Sequence, residues 1–262
     1  MYENKFTRTY LEKFYQKYNR REFVHPDPLE FLYNYDDPAD REIVGLVASS
    51  LAYGRVAQIL KSVSTALAPM GGSPHEFILD STPHSLAKAY SGFKHRFTAS
   101  DDLAALLAGI RSALKKHGSL KECFSSKIDD KDITFLPALS LFVDEITDSN
   151  CGCCYLAPSP KQGSACKRLN LFLRWMVRRD DVDPGGWDEL PKSKLVVPLD
   201  THMFRIATAQ GMTLRKQADL KTAVEMTEAF RIFAPEDPVK YDFSLTRPGI
   251  WNNTQLNLKS SP

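Results

Sequence analysis

A chain of 262 residues, 43% hydrophobic and 25% charged, has enough apolar material for one large domain or two lobes sharing a core. No apolar run is long enough to span a bilayer. The polar start MYENKFTRTYLEKFYQKYNRRE has neither the apolar centre nor the small-residue cleavage pattern of a secretory signal, so a cytoplasmic location is the default. The net charge of +2 selects no partner, but its distribution is uneven: Lys161 to Arg179 carries bases and no acid, while acids dominate 127–149 and 180–189.

Helical periodicity prevails along the chain. Residues 6–19 place Phe6, Tyr10, Leu11, Phe14 and Tyr18 on one side. DDPADREIVGLVASSLAYG begins with cap residues and then buries Ile43, Val44, Leu46, Val47 and Leu51. VAQILKSVSTALAPMGG continues as a helix and stops at Gly71 and Gly72, and Pro74 opens a short helix. DDLAALLAGIRSALKKHG has acids at its start, bases at its end and Gly118 just beyond, so both ends are marked. FLPALSLFVDEIT, ACKRLNLFLRWMVRR, PLDTHMFRIATAQG, LKTAVEMTEAFRIFAP and DPVKYDFSLTRPGIW are further helices. KLVVP is the single strand candidate, and residues 252–262 read as a frayed, flexible tail. The expectation is an all-α chain of roughly ten helices.

Five cysteines are present: Cys123, Cys151, Cys153, Cys154 and Cys166. The CGCC cluster is awkward for one tetrahedral ion, because adjacent thiols strain the geometry and no further ligand stands at zinc-finger spacing. Reduced thiols in or near a loop are the expectation; a metal or redox role is the alternative.

Two stretches carry chemistry. In APSPKQGSACKRLNLFLRWMVRR, prolines and Gly163 make a tight loop, and Ser164 is a candidate helix cap. The helix after it has an apolar face of Leu169, Phe172, Leu173, Met176 and Val177. Its other face is a polar stripe of Lys167, Asn170, Arg174 and Arg178. A loop feeding amides into a helix start suits an anion, and the stripe suits a phosphate backbone; a solvated helix face is the plainer reading. Lys167 stands in the first turn, where the helix dipole disfavours a cation and lowers the amine's pKa, as a nucleophilic amine requires. In VPLDTHMFRIA, Leu199, Met203, Ile206 and Ala207 form the buried face, and Asp200 stands at the helix start, as a cap, a cleft carboxylate or both. A structural ion pair is the plainer reading of Arg205, and a packed helix residue that of His202.

Asp200 with THMFRIA resembles the aspartate–threonine–histidine signature of the helix-hairpin-helix DNA glycosylases, the endonuclease III superfamily. In that superfamily a hairpin loop precedes a lysine at one helix start, and an aspartate opens the next helix; Lys167 and Asp200 match those positions. The long segment between them resembles archaeal 8-oxoguanine glycosylases. GSACKRLNLFLRWMVR and DPVKYDFSLTR are still more similar to an uncharacterised bacterial family of the DUF2400 type. The resemblance covers roughly residues 40–250, with three departures. The hairpin has Gly163 where the family has two glycines. The cysteines that would hold an iron–sulfur cluster are absent after Cys166, so neither that cofactor nor a metal is expected. The loop LAYGRVAQ carries Tyr53 and Arg55 where the family often places a glutamine-bearing insertion loop.

The resemblance implies a two-lobed all-α fold over 1–262. Terminal helices form one lobe, middle helices the other, and a cleft lies between them. It implies a monomeric glycosylase with AP-lyase activity on double-stranded DNA, excising an oxidised purine such as 8-oxoguanine. Lys167 and Asp200 are then catalytic. Lys161, Gln162, Gly163, Ser164, Arg168, Arg174, Tyr53 and Arg55 contact DNA. Asp242, Trp175 and Trp251 belong to the base pocket, with Trp187, Tyr241 and Phe243 as further aromatic candidates. A non-catalytic DNA-binding protein of the same fold is the alternative, and a helical scaffold without either role is the third reading.

Overall fold

The computed structural model describes residues 6–147 and 155–248, and the chain there is mostly helical. Cys151, Cys153, Cys154, Trp251 and the 252–262 tail lie outside the described residues. In chain order the helices are α1 (Arg8–Tyr18), α2 (Pro38–Ser50), α3 (Val56–Leu67), α4 (Pro74–Asp80), α5 (Pro83–Ala89), α6 (Ser100–His117), α7 (Leu120–Ser125), α8 (Leu136–Ile146), α9 (Lys167–Val177), α10 (Thr201–Ala209) and α11 (Leu220–Arg231). A 3₁₀ segment spans Pro28–Asn34, and residues 242–248 form further helical turns. No helix among the described residues is long and apolar enough to cross a membrane.

Local chemistry sets the helix starts. Side-chain oxygens of Thr7, Asp37, Ser119, Asp200 and Asp219 each accept a first-turn amide hydrogen. Beyond α6, Gly118 takes φ +86° and closes the helix. KLVVP is not a strand. Its neighbour is helix α11 rather than another extended segment, and the Val197 amide donates to Thr227 Oγ1 at 3.0 Å. The strands observed are instead Lys94–His95 (β1) and Thr98–Ala99 (β2), a small antiparallel hairpin that the alternation pattern had not marked.

The core runs through α2 and α9, which pack on each other. Ile43, Val44, Leu46 and Val47 of α2 and Leu169, Phe172, Trp175 and Met176 of α9 are fully buried. Glu42 of α2 is buried with them. It accepts the Leu120 and Lys121 amides at the start of α7, at 2.6 and 3.0 Å, and the Trp187 indole N–H at 3.1 Å. Burial pushes its carboxyl up to about 7 against those hydrogen bonds.

Around this pair, α6 packs against α4, α5, α7 and α8. Its approach to α8 depends on Gly109, where a Cβ would stand 1.9 Å from the Ile146 carbonyl oxygen. Gly109→Ala is therefore expected to destabilise the protein by roughly 1–3 kcal/mol through overpacking, although alanine is the better helix former. A lowered melting temperature checks this, and an unchanged or raised one contradicts it.

Candidate active site

The loop before α9 is built from short-range bonds. Ser159 Oγ accepts the Lys161 amide at 3.3 Å to start a 3₁₀ turn, Pro160–Gln162, which Gly163 ends at φ +75°. Gly163 is exposed, and its carbonyl accepts the Leu220 amide at 3.1 Å, tying the loop to α11. Ser164 does not cap the helix as expected. Its Oγ accepts the Cys166 amide at 3.2 Å, and Cys166 itself is the cap residue, at φ +47°. The Cys166 thiol is buried and donates to the Pro158 carbonyl at 3.1 Å; burial pushes it up to about 11, so it stays protonated near neutral pH. The next residue, Lys167, then enters the helix with its side chain in a cleft.

That cleft has a volume of about 330 Å³. Pro26, Asp27 and Pro28 form one wall; Ala52 and Gly54 after α2, with Val56 and Ile59 of α3, form a second. Lys167, Leu171 and Arg174 of α9 lie between them, and Pro198, Asp200 and His202 line the α10 side. Asp242, Thr246 and Arg247 complete it from the 242–248 turns. Lys167 and Asp200, distant in the chain, thus line one hollow.

Lys167 Nζ donates to the Ala52 carbonyl at 3.4 Å, and the residue has no ion pair among the described residues. Its amine is held below the ordinary lysine range by burial, against the pull of Asp200, Asp27 and Asp242. The direction is the expected one, and desolvation is its largest cause. Asp200 is both cap and cleft carboxylate: Oδ1 accepts the Met203 amide at 2.7 Å. Asp242 is 5% exposed and pushed up to about 6 by burial, with Arg174 opposing and Asp200 adding to the shift.

Several expected DNA contacts are otherwise engaged. Arg174 is 3% exposed and bonds Asp183 and Asp242, while Arg178, equally buried, bonds Asp180, Asp183 and Asp237. Burial alone would lower both guanidinium pKa values, but the acids hold them above the ordinary range. Arg174 and Arg178 of the α9 stripe therefore belong to an interior charge network, and Arg174, where it borders the cleft, is already engaged by two carboxylates. Arg168 is half-buried and donates to the Ser50 and Tyr155 carbonyls, with its guanidinium 5.0 Å from the Tyr53 ring centre. Tyr53 is half-buried and donates to the His95 carbonyl at 2.9 Å, so it is a strut of the hairpin rather than a free insertion residue.

Arg55, Lys161 and Gln162 are exposed; Lys161 pairs with Asp144 at 2.6 Å. Arg205 is exposed and forms no ion pair among the described residues, contrary to its plainer reading. Trp175 is fully buried and does not line the cleft, nor do Trp187, Tyr241 and Phe243. Trp187 stacks on Phe124, the Tyr241 hydroxyl bonds Glu12 Oε1 at 2.7 Å, and Phe243 lies beneath the Arg247 guanidinium. These rings serve the core, and no Phe, Tyr or Trp among the described residues lines the hollow.

Two lining groups went unmarked in the sequence, Asp27 and Arg247, which pair with each other. Arg247, like Asp242, is a charge inside an apolar helical pattern, which is a legible signal; Asp27, between two prolines, has none.

A family model described as "Protein of unknown function (DUF2400)" matches residues 27–251. No curated protein and no solved structure matches the chain.

Proposed function

The chain belongs to the DUF2400 family, and we propose that its cleft performs DNA glycosylase and AP-lyase chemistry with Lys167 as the nucleophile. The reading rests on one observation: an amine made easier to deprotonate by burial lines the same hollow as the carboxylate of Asp200. A base leaves the stack and enters the cleft. As the glycosidic bond breaks, its electron pair departs with the base, and positive charge builds on the sugar near Asp200. The neutral Lys167 amine bonds to C1′, and its proton passes to the carboxylate or to water. Ring opening, with O4′ taking a proton from the Asp200 carboxylic acid or from water, leaves a Schiff base; loss of a C2′ proton to water then expels the 3′ phosphate with its bonding electron pair by β-elimination.

The amine and the carboxylate suffice for these steps. In this reading the protein is a two-lobed, cytoplasmic monomer acting on double-stranded DNA, with an oxidised purine such as 8-oxoguanine as the base. Arg55, Lys161, Gln162, Gly163 and Ser164 are then its candidate groups for the phosphate backbone.

Borohydride reduction with an oligonucleotide carrying 8-oxoguanine or an abasic site tests the reading. A covalent adduct at Lys167 is expected. Salt-dependent DNA binding with neither adduct nor base release would leave the non-catalytic DNA-binding alternative, and absence of DNA affinity would sink both. Asp200→Asn keeps a good helix cap and removes the charge. It is expected to slow adduct formation by roughly 10²–10⁴-fold with the melting temperature nearly unchanged. Equal rates for the two proteins would remove Asp200 from the chemistry.

A further inference from the structure

Three carboxylates bear on the Lys167 amine, and they are not equivalent. Asp27 accepts a hydrogen bond from Arg247 Nη2, and Asp242 accepts one from Arg174 Nη1 at 2.5 Å. Both arginines are 3% exposed and fixed from several sides. Arg247 also donates to the Val24 carbonyl at 3.2 Å and lies 4.3 Å from the Phe243 ring centre, while Arg174 is shared with Asp183. Asp200 has no cationic partner among the described residues, and its known bond is to a backbone amide.

We propose that Arg247 and Arg174 are positioning residues, each claiming one cleft carboxylate so that Lys167 faces two neutralised acids and a single open one. The inference rests on Lys167 being the nucleophile, because only a nucleophilic amine gains from shedding its proton. Free carboxylates nearby would favour the ammonium form; paired with buried guanidinium groups, they do so much less. The other charged or titratable groups facing the amine are Arg168, its neighbour on α9, and His202 on α10. Neither is altered by the substitutions that follow.

The test reads the amine itself. Acetylation of Lys167 by acetic anhydride is followed against pH by peptide mass spectrometry in the intact protein. Arg247→Gln frees Asp27 and removes a nearby cation, so the labelling midpoint is expected to move about one pH unit upward. That is about a tenfold loss of labelling at any pH below the midpoint. Asp27→Asn leaves Arg247 without its counter-charge and is expected to move the midpoint downward. Arg247→Lys keeps the charge and restores the wild-type profile.

Opposite shifts for Arg247→Gln and Asp27→Asn support the pairing; unmoved midpoints, or shifts of one sign, overturn it. Should Arg247→Gln lack the wild-type far-ultraviolet spectrum, the double variant Arg247→Gln/Asp27→Asn decides. Removing a neutral pair leaves the midpoint near its wild-type value, and a downward shift as large as that of Asp27→Asn alone overturns the pairing. Failure of the wild-type protein to trap DNA would instead strike the glycosylase reading, and the labelling midpoints would still decide the pairing.

Discussion

Replacing Lys167 by methionine is expected to abolish borohydride-trapped adduct and strand nicking completely, with DNA affinity retained. The same substitution is expected to raise the melting temperature. Methionine fills a similar volume and removes a desolvated amine that has no ion pair among the described residues. The pH dependence follows from the direction of the shift. A lysine whose folded pKa lies below its ordinary value binds its proton more readily unfolded. Wild-type stability therefore rises with pH between the folded and ordinary values. The variant lacks this slope, so its advantage should be largest at neutral pH and vanish above the ordinary lysine range. Calorimetry across that interval checks it. A residual adduct in the variant would show that another amine attacks the sugar, and a lowered melting temperature would show that Lys167 is a structural group.

Arg174→Met is expected to damage the fold severely, at about 3–5 kcal/mol, because it strands buried Asp242 without a cation and leaves buried Asp183 to Arg178 alone. For a protein of this size that is roughly ten degrees or more in melting temperature. The loss should also depend on pH with a definite sign. Asp183 is already raised by burial, and Asp242 is raised to about 6. Without Arg174 both rise further. An acid whose folded pKa exceeds its unfolded value favours the fold when protonated, so the variant should regain stability as pH falls from 8 toward 5. Thermal melts at the two ends of that range measure it. A pH-independent deficit would mean that the damage is lost packing alone.

Local patterns carried much of the architecture into view. The acids, bases and glycine bracketing α6 announced its ends because helix termini interact with residues beside them in the chain. Asp200 was visible as a cap for the same reason. Arg174 and Arg178 show where such reading stops. Their helical spacing on α9 marks a polar stripe, but whether that stripe meets water or acids depends on Asp183, Asp237 and Asp242, brought in by other segments. Cys166 shows a second limit. Ser164 has the side chain of a cap, yet the chain takes a further left-handed residue before α9 begins, and the serine spends its oxygen inside the loop. Trp175 shows a third: an indole suits a base pocket and a core equally, and only the packing of α9 on α2 decides.

The hollow around Lys167 is walled by residues 26–28 from one region of the chain and by 242–247 from another. Contacts so remote in sequence form after local helices, since a long loop must close first. During translation, Lys167 and Asp200 leave the ribosome well before Arg247. Until that arginine docks, Asp27 has no counter-charge and the amine is the more readily protonated. A nascent chain stalled short of residue 242 thus lacks the wall that Asp242, Thr246 and Arg247 give the cleft. The surroundings of the Lys167 amine are then set only as the last helical turns dock.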